Sequence, residues 1–441
     1  MSFEHDESLL KKTILEDFEI KGGWVADIND LNNVKKFKYG TLKYSPTNIQ
    51  MELFQGFPSK NEKSLYVDDD PQRYPTIYGQ IANNNAWYVK AVNNSELSLP
   101  MMRGLSLVCT QKLNVSYFTV FNFAPSENVK MNRLILTSNF FNDWFKPRQE
   151  FIEFKQDSGY KIEVHNNGEE HLGSFENRGT NFDIYLEGNV NRKCNSQARK
   201  IDLINDSYIK IRSDDSIEAK IAIELSEEFS DLLSTIAATQ INFSLISLNG
   251  KGNRKKNIFV PPLIYPITKE KNSYIFKSEN FDFEKLIYNW FNKSPELKLM
   301  IDDYLLTVRY NETIEDKLIN LTEGIESFCR NERDDRGRKL SLLDAMKNVV
   351  HALPSFIIEK MNSKVGNIDE WMEKLKDSRV FLAHGTDRDN RSDNINELII
   401  QVRAFQFLIQ CFIMKELGYD LDKSQRNILY EINKIYAISF L

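Results

Sequence analysis

Near residue 281 the spacing of apolar residues changes from every second position to steps of three and four. The first period puts alternate side chains on one face of a strand; the second puts them on one stripe of a helix. The sequence therefore divides into a strand-forming half and a helix-forming half. Residues 1–280 carry short alternating runs: Lys38–Tyr44, Ile49–Phe54, Leu113–Phe123, Tyr160–His165, Phe182–Leu186, Tyr208–Arg212 and Ile241–Leu248. Each is rich in β-branched or aromatic residues, with turn signals between them such as Asn167–Gly168 and Asn249–Gly250. One helix is expected at Ser230–Gln240, with Ser230 as its cap. The reading is a predominantly β, sandwich-like region, possible to divide in two near residue 150.

Residues 281–441 are poor in Gly and Pro, and expected helices cover Pro295–Tyr310, Glu312–Arg330, Leu340–Ala352, Ser355–Met361, Ile368–His384, Ile395–Leu417 and Leu421–Ala437. In the second of these, Ile314, Leu318, Leu321, Ile325 and Phe328 form one stripe. The fold class is thus α+β multidomain: a β-rich region followed by an all-α bundle. A length of 441 residues is consistent with two or three domains.

Charge narrows the function classes. The net charge is −6, shared by both halves, so any nucleic-acid contact must be a focused site and not a broad basic cradle. Cys109, Cys194, Cys329 and Cys411 are widely spaced and form no CxxC pair, which suits reduced thiols in a cytoplasmic protein. The first twenty residues mix acids and bases and do not resemble a signal peptide. The apolar stretch Val402–Met414 is broken by Arg403, Gln406 and Gln410 and reads as a core helix, so no membrane association is expected.

Several familiar chemistries lack their residues. The basic run 249–256 has no phosphate-loop ending and reads as a solvated loop, with a phosphate-contacting tip as the alternative. His165 and His171, with Glu163, Glu169 and Glu170, have no ligand spacing, so no metal or other cofactor is expected. No Gly-x-Ser-x-Gly elbow is present.

The informative segment is Lys376-Asp-Ser-Arg-Val-Phe-Leu-Ala-His-Gly385, at the end of an expected helix that Gly385 can terminate. A histidine can move a proton to or from a ribose oxygen, and an arginine can hold a phosphate while charge grows on it. Arg379 and His384, however, lie about 140° apart on a straight helix. A loosened last turn, the reach of the arginine or a second protomer would be needed to bring them together. On spacing alone the plainer assignment is a surface arginine and a helix-end histidine favoured by the dipole.

Resemblance changes that balance. The helical half resembles a HEPN domain of the Apea-like branch: Arg379-Val-Phe-Leu-Ala-His384 matches the family's Arg-x4–6-His motif. Leu318-Ile-Asn-Leu-Thr-Glu-Gly-Ile-Glu-Ser-Phe-Cys-Arg330 is similar to that branch's upstream helix. Gly22-Gly-Trp24, Gly40-Thr-Leu-Lys-Tyr44 and Leu53-Phe-Gln-Gly56 resemble the β-rich region of ApeA-type proteins. The family often has Asn, Asp or His after the motif arginine; here Val380 stands there, leaving Asp377 and Glu326 as candidate polar helpers.

The resemblance implies a metal-independent endoribonuclease, a toxin of abortive-infection antiviral defence, cutting host or phage RNA such as transfer RNA. Arg379 and His384 would be catalytic. Lys376, Arg388 and Arg391 flank the motif and are candidate backbone-phosphate contacts, with a solvated loop charge as the alternative for at least one of them. It implies a homodimer or higher homo-oligomer through residues 281–441, with a phage protein as trigger on residues 1–280. Two alternatives stay open: a non-catalytic binding or oligomerisation module with a degenerate HEPN domain, and a nucleotidyltransferase-associated scaffold.

Overall fold

The computed structural model describes residues 9–437 except 55–56, 58–75, 82–86, 99–110, 125–126, 146–148, 157–158, 167, 196–199, 262–273, 386–390 and 393. The β-rich region and the helical bundle are both present. Alternation does not reveal how sheet edges meet, and here the first six described strands close on themselves. They are β1 (Phe18–Val25), β2 (Lys38–Ser45), β3 (Asn48–Leu53), β4 (Thr76–Ile81), β5 (Trp87–Ser98) and β6 (Gln111–Phe121). Around the barrel the order is β1-β2-β3-β6-β5-β4 and back to β1, every pairing antiparallel. Ile20, Leu42, Met51, Val89 and Leu113 are among its buried residues.

The barrel glycines are matters of close approach. Trp24 is fully buried, and its indole N–H donates to the Gly40 carbonyl at 3.2 Å. A Cβ on Gly79 would stand 2.5 Å from the Trp24 ring, and one on Gly40 would stand 2.2 Å from the Glu52 carbonyl oxygen. Neither position has room for a side chain. Trp24→Ala is expected to cost about 3–5 kcal/mol, the range for emptying a large aromatic site. Denaturant unfolding followed by circular dichroism measures it; a loss below about 1 kcal/mol would mean that the barrel collapses freely onto the gap.

The remaining strands continue the same sheet. After β7 (Met131–Thr137), α1 (Asn139–Trp144) and the separate hairpin β8 (Gln149–Gln156) and β9 (Gly159–Asn166) come β10 (Glu170–Asn177), β11 (Thr180–Asn195) and β12 (Lys200–Ser213). The helix α2 (Ala219–Ala237) precedes β13 (Leu245–Gly250) and β14 (Lys255–Phe259). The open part runs β10-β11-β12-β7-β13-β14 and joins the barrel through β6. Gln111–Asn114 of β6 pair with β3, and Phe118–Phe121 pair with β14.

Two local expectations are corrected here. The helix expected at Ser230 begins at Ala219, and the Ser230 hydroxyl instead donates to the Ile241 carbonyl at 2.6 Å. The preceding run of Ala, Ile, Leu, Lys and Glu favours continuing the helix through that serine. The turn expected at Asn249–Gly250 also lies further on, where Gly252 and Asn253 adopt positive φ. Lys255 and Lys256 of the basic run therefore belong to β14, and Lys256 sits 5.5 Å over the Phe121 ring.

The helical half contains α3 (Phe283–Phe291), α4 (Pro295–Arg309), α5 (Ile314–Phe328), α6 (Leu342–His351), α7 (Ser355–Val365), α8 (Ile368–His384), α9 (Ile395–Glu416) and α10 (Gln425–Ala437). The α3 helix falls between the expected elements. Asp282 caps it, and Leu286, Ile287 and Trp290 are buried. Gly173 permits its approach to β10, since a Cβ there would lie 3.1 Å from the Glu284 Cα. By length and composition α9 could cross a membrane, but most of it is buried inside the bundle. Its interrupting glutamines have partners: Gln406 donates to the Thr307 hydroxyl at 2.8 Å, and Gln410 to the Thr235 carbonyl at 2.8 Å.

Candidate active site

The motif helix α8 is built to end where the motif ends. Asn367 caps its first turn, and Trp371, Met372 and Leu375 bury one side. At the other end Gly385 takes φ 66°, and its N–H donates to the Phe381 carbonyl at 2.7 Å. The positive φ is a glycine-favoured helix stop. No loosened turn lies between the two motif residues, because the helix runs unbroken through His384.

Arg379 and His384 consequently occupy different surroundings. Arg379 retains 17% of its side-chain exposure and turns toward α5, with Nη2 3.5 Å from a Glu326 carboxylate oxygen. Its Nε is buried without a hydrogen-bond partner. His384 is exposed at the helix end. Among the described residues no hydrogen bond joins the two. The single chain presents an anchored arginine and a solvent-facing histidine on separate faces.

The polar-helper candidates differ in kind. Glu326 contacts Arg379 directly, whereas Asp377 is buried and pairs with Lys376 Nζ at 3.0 Å. Lys376 is thus already engaged by an acid. Arg391 lies 4.1 Å over the Phe381 ring, beside the motif. Arg388 lies outside the described residues. Ser378, which sequence spacing does not mark, ties α8 to the residue after Arg391: its hydroxyl donates to the Lys374 carbonyl at 2.9 Å and accepts from the Ser392 N–H at 3.0 Å. Lys374 also binds Glu397 at 2.6 Å, tying α8 to the start of α9.

Glu169 and His171, among the other sequence candidates, have structural partners. Glu169 is bound by Lys210 and Arg212, and the His171 Nε2 lies 3.2 Å from the Ser174 hydroxyl. Glu163 and His165 lie on β9, where only the backbone is described. Cys329 and Cys411 are buried free thiols, and burial raises the Cys329 pKa to about 12, so neither has the character of a nucleophile. Cys109 lies outside the described residues, as does the Cys194 side chain.

A barrel continuous with an open sheet, followed by a bundle with Arg-x4-His at one helix end, defines an ApeA-type β region joined to a HEPN domain. The chain belongs to the ApeA family: ApeA N-terminal domain 1 matches residues 19–290, and the Apea-like HEPN family matches residues 301–423. No curated protein matches the chain. No solved structure matches it either.

Proposed function

We propose that this protein is a metal-independent endoribonuclease acting in abortive-infection defence against phage. The observation that carries the reading is the Arg-x4-His motif at a helix end inside the Apea-like HEPN region. In this mechanism a ribose 2′-hydroxyl loses its proton and attacks the adjacent phosphorus. The 5′-oxygen leaves with a proton, giving a 2′,3′-cyclic phosphate and a 5′-hydroxyl end. A histidine serves each proton transfer, and arginine opposes the charge on the phosphorane oxygens.

In-line displacement needs its base and acid on opposite sides of phosphorus. Each chain brings one motif histidine, and that histidine is exposed and separate from its own Arg379. A two-fold dimer supplies two histidines and two arginines to a shared centre. We therefore assign Arg379 and His384 to a composite dimeric site, with Lys376, Arg388 and Arg391 as phosphate contacts. Residues 1–280 act as the sensor that keeps residues 281–441 quiet until a phage protein binds.

The test is total RNA from cells expressing the protein, with and without phage, mapped for 5′-hydroxyl and cyclic-phosphate ends. New ends should appear with phage, persist when the purified reaction contains a metal chelator, and vanish in His384→Ala. Phage protection without such ends would transfer support to the non-catalytic binding module.

A further inference from the structure

Where α5 passes α4, Gly324 lets the helices come close: a Cβ on it would lie 3.2 Å from the Asp303 Cβ and 3.4 Å from the Met300 Cα. Beside this crossing is a cleft of about 510 Å³, lined by Asp303, Glu323 and Glu326 and also by Arg330 and Lys339. The acids come from α4 and α5, the bases from the segment between α5 and α6. Among the described residues, the side chains of Asp303, Glu323, Arg330 and Lys339 form no hydrogen bond or ion pair with one another or with a third group. Burial, with Glu323 and Asp302 nearby, raises the Asp303 pKa to about 6.

A ligand matched to this lining must offer N–H donors to carboxylates and acceptors to cations in one body. A free phosphate meets only the bases, and a simple cation meets only the acids. Guanine alone among the four bases sets two adjacent donors, N1–H and the N2 amino group, beside two adjacent acceptors, O6 and N7, so it can meet paired carboxylates and paired cations together. The cleft also adjoins the motif, because Glu326 lines it and faces Arg379 at 3.5 Å.

We propose that the cleft is a base-recognition pocket for guanine in single-stranded RNA, with Asp303 and Glu323 reading the amino edge and Arg330 and Lys339 the O6–N7 edge. Unstacked RNA bases are read by such edge contacts, whereas paired ones are hidden in the helix. The assignment rests on the ribonuclease reading and adds substrate selectivity to it.

Nucleotide binding tests the pocket without needing cleavage. Calorimetric titration of the full-length protein should show tighter binding of guanosine monophosphate than uridine monophosphate. Glu323→Gln and Lys339→Met should each weaken the guanine nucleotide about tenfold and leave the uridine nucleotide unchanged. Both positions are exposed, so packing is spared, and unchanged thermal melting checks this. Equal binding of the two nucleotides, binding of neither, or equal losses in the variants would overturn the proposal.

Cleavage mapping separates the two readings. Wild-type protein should cut beside guanines, and Glu323→Gln should lose that preference. Selective nucleotide binding without RNA cleavage would keep the pocket and remove the nuclease; cleavage without base preference would do the reverse.

Discussion

His384→Ala and Arg379→Ala should each lower RNA cleavage by about 10²–10⁴-fold while leaving a folded dimer, as expected when an aligned proton carrier or charge stabiliser is lost. His384 is exposed, so truncating it removes little packing. Arg379 is more enclosed, and Arg379→Lys provides its control: the charge remains while the planar fork that grips two phosphate oxygens is lost. A composite site makes a sharper demand. When wild-type and His384→Ala chains are mixed and exchanged at constant total protein, activity should fall as the square of the wild-type fraction. A linear fall would mean that each chain carries a complete site. Wild-type rates in either purified variant would remove that residue from the mechanism.

The motif helix was legible to the residue because its signals are local. Asn367 caps it, apolar residues recur on one side, and Gly385 stops it, as the expected limits Ile368–His384 require. The change of period likewise separated β-rich from helical sequence. What the sequence could not reveal depends on distant contacts. Barrel closure needs β5 to find β6 and β4 to find β1, and no strand's own pattern specifies its partner. The α3 helix has a readable cap in Asp282 and a clear apolar stripe at Leu286, Ile287 and Trp290, but at nine residues it is shorter than the window over which such a period is read. At the candidate site, Glu326 was legible as an acid on an expected helix. Its approach to Arg379 comes only from the packing of α5 on α8. The Asp303–Glu323 wall is similar, since a close helix crossing at Gly324 brings together residues far apart in sequence.

At the junction of the two halves, Asp231→Ala should destabilise the protein by about 1–3 kcal/mol, the range for taking one partner from a partly enclosed charged hydrogen bond. Asp231 lies on α2 and binds Arg309 at the end of α4, with side-chain exposures of 28% and 10%. Burial raises the pKa of the Asp231 carboxyl, and the Arg309 charge works against that shift. The neighbouring contact is of the same kind: Lys293 Nζ meets Glu228 of α2 at 3.2 Å and lies 3.9 Å over the Trp290 ring. Removing Asp231 takes one carboxylate from an enclosed guanidinium, which costs more than the net worth of the contact. Replacing both members, as Asp231→Leu with Arg309→Met, should recover most of the loss, and a double-mutant cycle measures the coupling. Additive losses would show that the two side chains contribute independently. The same variants bear on restraint, because Asp231 lies within the ApeA N-terminal match and Arg309 within the HEPN match. If residues 1–280 quiet the bundle through this junction, Asp231→Ala should arrest cell growth without phage, while adding His384→Ala should abolish that toxicity. A destabilised but non-toxic Asp231→Ala protein, still active with phage, would place the restraint at another contact between the halves.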